Sequence, residues 1–474
     1  SGWERNVSSA SAWWALRSRL AIWAIVLFSV LLVTAGVLTG LQAHEDEHDR
    51  NAHQAEAEET FLSQPDRHPH RMVHYGHYAF RAPAPLAVID PGLDTVTGQS
   101  IFLEGHRQNS ASFDDATASA DFGGLSWLSP ARVYQLLAPL LLILVGFGAV
   151  VRERESSTLA TLMLQGVSGP ALLAGKLAAL VTLTVLLLLP LFITASLSES
   201  AAAGVTITAT YLLYLGAWAA FTIVASAVLR KRSSVLVALT AAWLVTCLLV
   251  PSIAVDAEAR STAHVGKIES DLRLLTDLRK LGDGHNANDP AFARLRDSLF
   301  AKYDVSDPAD LPVNLRGVVA AYSEAELTET MNRYAEERMT VEANQSQRLS
   351  RIGWLSPALA VGFSSRVIAG TDISHYHRFL RETEALRFDF VQGLNKAHAE
   401  VLDYTLDMNR NNSEEDGRRA RISSDTWAVL DEYRFTPATI NERWHRAVPT
   451  LAMLATWLLL SVAGIWVSGR RLKP

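Results

Sequence analysis

The chain has 474 residues, of which 49% are hydrophobic and 19% are charged, and its formal net charge is −6 at pH 7. This composition is too apolar for an ordinary soluble protein, although long polar stretches separate the apolar ones. It predicts a membrane protein with large aqueous parts, and we expect no nucleic-acid partner.

Six apolar stretches are long enough to cross a membrane, since a bilayer core of ~30 Å requires about 20 residues of helix. The first is longer than the core of a signal peptide and lacks a small-residue cleavage site, so we expect it to be retained. The sequence therefore predicts an all-α membrane protein with six transmembrane helices. These spans are expected at 20–42, 131–151, 172–197, 203–229, 234–255 and 448–468.

Residues 1–19 precede the first span and carry Trp3, Trp13 and Trp14 among polar side chains. Tryptophan prefers the depth of the lipid headgroups, and arginine side chains reach the phosphates. The pattern predicts a short helix that lies in the membrane interface. The alternative is a disordered tail whose aromatic residues occur by chance.

The orientation of the spans follows from lysine and arginine, which concentrate in short cytoplasmic loops. Four basic clusters fall on one side if the N-terminus is cytoplasmic. Both termini, including the tail 469–474, are then cytoplasmic in a bacterial inner membrane. Two large segments are periplasmic: loop one, which we define as residues 43–130, and the helical domain, which we define as residues 256–447. The clusters are Arg17 with Arg19, Arg152 with Arg154, Arg230 with Lys231 and Arg232, and Arg470 with Arg471 and Lys473.

The most informative segment, residues 151–176, lies between the second and third spans and reads VRERESSTLATLMLQGVSGPALLAGK. A charged patch is followed by a short amphipathic helix and a Gly-Pro break, and Lys176 opens the next span. Such a pattern indicates a solvent-facing helix, at 152–171, which its two neighbouring spans hold against the membrane. We refer to residues 151–176 as the 151–176 loop.

This loop resembles the coupling loop of ABC-2 type permeases, the membrane subunits of ABC transporters, which reads roughly E-R-E, T-L, a turn, and G-K. The chain departs from the family pattern at Ser157, where Gly is usual, and at the turn 166–170, where the family has Pro-x-x-Arg. The residues that match as they stand are Glu153, Arg154, Glu155, Thr158, Leu159, Gly175 and Lys176.

The resemblance implies that ATP and Mg²⁺ are bound by a separate ATPase dimer, that a second permease pairs with this one, and that this chain is not an enzyme and holds no cofactor. Glu153 and Glu155 would contact the ATPase by charge, while Leu159, Leu162 and Met163 would fill its docking groove. The full set of implied coupling residues is Glu153, Arg154, Glu155, Thr158, Leu159, Leu162, Met163 and Lys176.

The helical domain is polar but carries apolar residues at spacings of three and four, which predicts amphipathic helices with the apolar stripes as core. Its breaks include Ser356-Pro357 and Gly370-Thr371-Asp372. The only cysteine, Cys247, lies within the fifth span, so the domain must be stable without a disulfide. The stripes comprise Val265, Ile268, Leu272 and Leu275, then Val319, Tyr322, Leu327, Met331 and Tyr334, and then Phe390, Leu394, Ala397, Val401, Tyr404 and Met408.

Three short motifs of this domain resemble a subgroup of ABC-2 permeases in which a helical domain of unknown function separates the last two spans. The subgroup often occurs as paired, related permeases beside one ATPase, so a heterodimer and a homodimer both remain open. The motifs are Leu311-Pro312-Val313-Asn314, then Gly370-Thr371-Asp372 followed by His375 and Phe379, and then Leu394-Asn395.

Loop one is rich in histidine, whose imidazole suits zinc, copper and nickel. His44 and His48 are one helical turn apart and belong to a formal H-E-x-x-H zinc-peptidase signature in which Glu45 would be the general base. A solvated loop that is merely rich in histidine is the alternative. The candidate metal ligands are His44, His48, His68, His70, His74 and His77.

Apart from Lys176 near its start, the third span contains no charged residue or histidine, and the fourth and fifth spans contain none, which argues against a proton- or sodium-driven carrier. The chain also lacks a P-loop, because Pro170 and Leu177 replace required residues near Lys176. We therefore expect an ATP-driven permease that moves a substrate out of or across the inner membrane. The alternatives are an importer, a mechanotransmitter that acts on a periplasmic protein, and, remotely, a membrane-anchored zinc peptidase.

Overall fold

The computed structural model describes residues 19–112, 128–261, 267–427 and 434–473. The structure is 76% helical, as the predicted all-α class requires. Six of the helices in the described ranges are long and apolar enough to cross a membrane, which agrees with the predicted number. The interfacial helix predicted for residues 1–19 lies, apart from Arg19, outside the described residues. The six helices are Arg19–Leu62, Pro130–Glu155, Gly169–Ser198, Ala201–Val228, Arg232–Arg260 and Ile440–Arg470.

The first helix, Arg19–Leu62, continues well beyond its predicted span. It has 44 residues, and at about 1.5 Å per residue it is roughly twice as long as the ~30 Å bilayer core. Residues 43–62, which the sequence assigns to the start of loop one, are therefore helical. The acidic and alanine-rich sequence after residue 43 ends the apolar stretch without ending the helix, because Ala and Glu are good helix formers.

The helix Ala201–Val228 forms the centre of the bundle. It packs against Gly169–Ser198, Ile440–Arg470 and the apolar part of Pro130–Glu155. Gly216 faces Leu458 of the last helix, and a Cβ at this glycine would lie 3.4 Å from the leucine side chain. The small residue therefore permits the close approach of two helices.

Loop one folds into a short helix, Pro69–Tyr75, and an antiparallel pair of strands, β1 (His77–Phe80) and β2 (Ser100–Leu103). His77 pairs with Leu103, and Phe80 with Ser100. The strand pair buries Ile101 and Leu103 against Phe379 of the helical domain.

The helical domain is built on two long helices, Leu315–Arg351 and Ile373–Val401, which pack against each other. The intervening helix Pro357–Ala369 packs against the central and last membrane-length helices. The predicted breaks are confirmed, since Ser356 caps its start and Gly370, with φ of 77°, ends it. The shorter elements are the α-helices Lys267–Leu278, Ala293–Tyr303, Tyr404–Asn409 and Glu414–Arg419 and the 3₁₀ turns Pro290–Phe292, Pro308–Asp310 and Ile352–Trp354.

One predicted core stripe is wrong. Ile268, Leu272 and Leu275 form the apolar face of Lys267–Leu278, and all three side chains are exposed. The third stripe is buried only in part, because its first members, Phe390 and Leu394, lie in the core whereas its later members do not. Val401 and Met408 are exposed, since the helix Ile373–Val401 ends before the stripe does. Val265 lies outside the described residues.

The two ends of the bundle carry different parts of the chain. At one end, the 151–176 loop contacts the start of Arg232–Arg260 and the end of Ile440–Arg470. At the other end, loop one and the helical domain share one hydrophobic core, in which Met72 packs with Phe390 and Trp427. The two large polar segments therefore lie together, at the end of the bundle opposite the 151–176 loop.

Candidate functional site

The 151–176 loop contains two short helices joined by a tight turn. The helix that ends at Glu155 is followed by Thr158–Leu164, and Ser157 between them has a φ of 59°. This left-handed conformation is one that glycine adopts without strain. A glycine would hold this turn without strain, and Ser157 holds it at a small energetic cost.

The charged residues of the loop bind the ends of neighbouring helices. Glu153 Oε1 lies 2.5 Å from Lys176 Nζ. Arg154 donates from Nη2 to the carbonyl oxygen of Ala227 (2.7 Å) and from Nη1 to that of Leu229 (3.0 Å). These carbonyls belong to the end of the central helix, which has no further helical turn to satisfy them. Glu153 and Arg154 therefore fix the loop to two membrane-length helices.

Glu155 and Gly169 extend these attachments to two more helices. Glu155 accepts hydrogen bonds from the backbone and side chain of Arg232, at the start of Arg232–Arg260. Gly169 lies so close to Gly469 that a Cβ would overlap the carbonyl oxygen of the latter. The loop, which joins Pro130–Glu155 to Gly169–Ser198, thus also contacts an end of Ala201–Val228, Arg232–Arg260 and Ile440–Arg470. A displacement of the loop would therefore act on several helices at once.

The apolar residues of the loop do not all face outwards. Leu159 is fully buried in the core of the bundle, and Leu162 and Met163 pack partly against it. The expectation that Leu159 enters the groove of a partner does not fit the structure, because its side chain already holds the short helix in place. Leu164, for which the sequence predicted no role, is 89% exposed. It is the most exposed apolar side chain of this short helix, since Leu162 and Met163 are half-buried.

Thr158 begins this helix, and its Oγ1 lies 2.9 Å from the hydroxyl oxygen of Ser156. The pair is exposed. Thr158 therefore stabilises the turn that carries Leu164, and it lies beside the exposed face.

The histidines of loop one separate into distinct environments. His44 and His48 are exposed on the first helix, and among the described residues neither belongs to a cluster of three or more metal-capable side chains. His77 is buried, with its ring 4.6 Å from that of Phe61. The group of His68, His70, His74 and His77 therefore does not form one site. The formal H-E-x-x-H signature lies on an exposed helix, whereas a catalytic helix usually lies in a cleft.

His68 belongs to a buried hydrogen-bond network. Its Nε2 lies 3.0 Å from Asp407 Oδ1, and His398 Nε2 lies 2.8 Å from Asp407 Oδ2. Burial alone would raise the pKa of Asp407, but the hydrogen bonds from His398 and His68 bring it well below its usual range. Arg410 and Asn314 also donate to this carboxylate. Because cationic and amide donors already surround Asp407, this network ties loop one to the helical domain and does not favour a metal cation.

His70 and His74 lie together, one turn apart on Pro69–Tyr75, with His106 and His285 beside them. The sequence predicted the first two as ligands but not the other two. His106 follows β2, and His285 directly follows the glycine-rich segment 282–284, far away in the chain. Only their residue type gave a signal, because no spacing rule joins such distant segments.

Residues 267–436 match the family model described as "Domain of unknown function (DUF3526)". This match lies within the helical domain and includes both long helices. No curated protein matches the chain.

Proposed function

We propose that the chain is the membrane subunit of an ATP-driven transporter of the ABC-2 type. The 151–176 loop would receive the motion of a separate ATPase dimer, and a second permease, identical or related, would complete the assembly. This proposal places the loop and both termini in the cytoplasm, and it places loop one and the helical domain in the periplasm of a bacterial cell. Export of a substrate is the favoured direction, and import is the alternative.

The observation that carries the proposal is the attachment of one short loop to the ends of three membrane-length helices besides the two that it joins. Glu153, Arg154, Glu155 and Gly169 all make contacts inside the chain, so they would pass a displacement of the loop to the bundle. Leu164 remains exposed beside them. A loop that is attached to the bundle and exposes an apolar side chain suits a partner that binds and displaces it.

The test compares two substitutions at exposed leucines outside the membrane spans. Leu164→Asp should release the partner ATPase, because truncating or charging an apolar anchor typically costs about 2 kcal/mol or more of binding free energy. Leu272→Asp is the control, since Leu272 is 59% exposed on the helix Lys267–Leu278 of the helical domain. The measurements are co-purification of the ATPase and ATP hydrolysis by the complex in nanodiscs.

We expect Leu272→Asp to retain the ATPase and Leu164→Asp to lose it while remaining monodisperse. Leu159→Asp should differ from both, because a charge in the core would destabilise the chain itself. Retention of the ATPase with full ATP turnover in the Leu164→Asp complex would contradict the proposal.

A second candidate function, mechanotransmission to a periplasmic protein, is favoured by one specific observation. A buried chain of hydrogen bonds joins loop one, the helical domain and two membrane-length helices. Ser365 donates to Asp90 (2.5 Å) and lies 2.9 Å from Tyr211, whose hydroxyl accepts from Gln135 (3.0 Å). Movement of the central helix, which carries Tyr211, would therefore be passed directly to the helical domain.

The two candidates predict different results for Ser365→Ala. In a mechanotransmitter, this change should uncouple the helical domain from the bundle while ATP turnover persists. Spin labels at Glu329→Cys and Arg471→Cys would then show a smaller ATP-dependent change in separation than in the otherwise unchanged protein. If the Ser365→Ala variant shows the same ATP-dependent change in separation as the otherwise unchanged protein, this network does not support mechanotransmission.

A further inference from the structure

We propose that His70, His74, His106 and His285 bind one Zn²⁺ ion, and that this ion fastens loop one to the helical domain. The four side chains come from three separate segments: the helix Pro69–Tyr75, the turn after β2, and the 282–289 segment of the helical domain. Each offers one ring nitrogen, and these four atoms all lie within 4.8 Å of one another.

The spacing of the rings is that of a tetrahedron. Four points define six separations, and here the six distances between ring centroids all fall between 4.8 and 6.0 Å. Zinc bound to four imidazoles at about 2.0–2.1 Å requires centroids roughly 5 Å apart and ligand nitrogens about 3.3 Å apart. His70 Nε2 and His74 Nε2 are 3.3 Å apart. Small side-chain rotations would complete the coordination.

His106 has the surroundings of a metal ligand. Its Nδ1 lies 2.7 Å from Oε2 of Glu324, a carboxylate that is buried inside the helical domain. Metal-bound histidines usually direct their second ring nitrogen to a carboxylate in this way, which fixes the ring and increases its basicity. His106 Nε2 is buried and has no hydrogen-bond partner among the described residues. That nitrogen is therefore available to a cation.

The backbone also holds His106 in an unusual position. Its φ is 65°, in the left-handed region that few residues other than glycine occupy. The turn is closed by a bridge between Glu104 and Arg107. A positive φ at the second central residue is typical of a tight turn, and this turn places the ring of His106 5.1 Å from that of His74 and 6.0 Å from that of His70.

The composition of the cluster decides which metal and which role fit. Four neutral imidazoles suit zinc, copper or nickel better than calcium or magnesium, and a tetrahedral arrangement favours zinc. Four protein ligands leave no open position for water or substrate, which is the pattern of a structural site rather than a hydrolytic one. His74 and His285 are exposed, so the ion can enter from solvent. The bound ion would therefore link loop one to the helical domain reversibly.

The neighbouring cluster of His68, His398 and Asp407 provides an internal comparison. Its carboxylate already accepts hydrogen bonds from Arg410 and Asn314. A second cation there would be repelled by the guanidinium, whereas the carboxylate of Glu324 lies beside His106 in the four-histidine cluster. We therefore assign the zinc ion to the four-histidine cluster alone.

The experiment uses the full-length protein, purified without a polyhistidine tag and stripped with a chelator. Zn²⁺ alone is titrated by calorimetry, and bound metal is counted after gel filtration. We expect one Zn²⁺ per chain. His70→Ala and His285→Ala should each weaken zinc binding by more than 10- to 100-fold, which is the typical effect of losing a side chain that only hydrogen-bonds to a metal ligand. The matched control is His44→Ala/His48→Ala, which should bind zinc as the unchanged protein does.

Two further measurements separate the site from loss of folding and from other metals. Without zinc, His285→Ala should unfold at the same temperature as the unchanged protein, because its ring is exposed, and only the unchanged protein should gain thermal stability with zinc. Co²⁺ should give the intense visible absorption of a tetrahedral site. Absence of stoichiometric zinc, equal binding by His285→Ala, or tight binding of Cu²⁺ or Ni²⁺ but not Zn²⁺ would each overturn the assignment.

Discussion

Arg387 and Glu324 form an ion pair that is fully buried between the two long helices of the helical domain. Arg387 Nη1 donates to Glu324 Oε1 at 2.6 Å, and Arg387 Nη2 donates to the hydroxyl of Thr328 at 2.8 Å. Because Glu324 also lies beside His106, this ion pair supports the side of the fold that carries the four-histidine cluster.

Removal of one partner should be costly here. Arg387→Met leaves the Glu324 carboxylate buried without its cation, and we expect a loss of about 3–5 kcal/mol in the free energy of unfolding. The same two helices provide a control, since Arg381 forms a two-pronged but half-exposed pair with Glu336. Arg381→Met should cost less than about 1 kcal/mol. Chemical unfolding of the detergent-solubilised protein measures both values, and similar losses would contradict the prediction.

His375 should make the stability of the protein depend on pH. It is buried, and burial first and then the charges of Arg81, Arg446, Arg378 and Arg443 lower its pKa to about 3. In the unfolded chain its pKa is about 6.5, so the unfolded state binds one more proton between these values. Stability is therefore complete above about pH 6.5 and falls as the pH drops, with a slope that approaches about 1.4 kcal/mol per pH unit from this group.

The substitution His375→Phe isolates this contribution. The ring of His375 already packs 5.1 Å from that of Phe435, so phenylalanine suits the site and cannot be protonated. Between pH 6.5 and 5, the variant should lose less stability than the unchanged protein. His445→Phe, on an exposed position of the last helix, should leave the slope unchanged. Equal slopes for His375→Phe and the unchanged protein would show that His375 is not the titrating group.

Two glycines of one helix should respond in opposite ways to alanine. Gly169→Ala places a methyl group against the carbonyl oxygen of Gly469, so the end of the 151–176 loop must move away from the last helix. We expect lower thermal stability and weaker coupling of ATP hydrolysis to the permease. Gly175→Ala meets no atom within 4 Å and should gain about 0.5–1 kcal/mol from helix propensity. Thermal unfolding of both variants measures this difference in stability. Equal shifts in unfolding temperature for Gly169→Ala and Gly175→Ala would contradict the prediction.

The proposed topology predicts which engineered cysteines are accessible from the periplasm. On a Cys247→Ala background, Thr60→Cys and Glu329→Cys should react with a membrane-impermeant thiol reagent in intact spheroplasts. Lys231→Cys should react only after lysis. All three positions are exposed, so burial does not account for a difference between them. Labelling of Lys231→Cys before lysis would exclude the six-span orientation.

The membrane-length helices could be found from the sequence because the signal is local. A helix of about 20 consecutive apolar residues can cross the bilayer core, and this property does not depend on the rest of the chain. The breaks at Ser356 and Gly370 were equally local, since a hydroxyl cap and a left-handed glycine act on the nearest helical turn. The first helix extended further than predicted because its polar half has helix-forming residues but no apolar signal.

Only the tertiary structure decided which faces are used and which distant residues meet. The stripe at Ile268 and Leu272 had the helical period of a core face, yet no neighbouring element covers it in the described chain. Leu159 had the spacing of an exposed anchor, but the bundle buries it. His285 joins His70 because two separate segments fold against each other. Periodicity fixes the helix and its apolar face, whereas the partner of that face is fixed by packing over the whole chain.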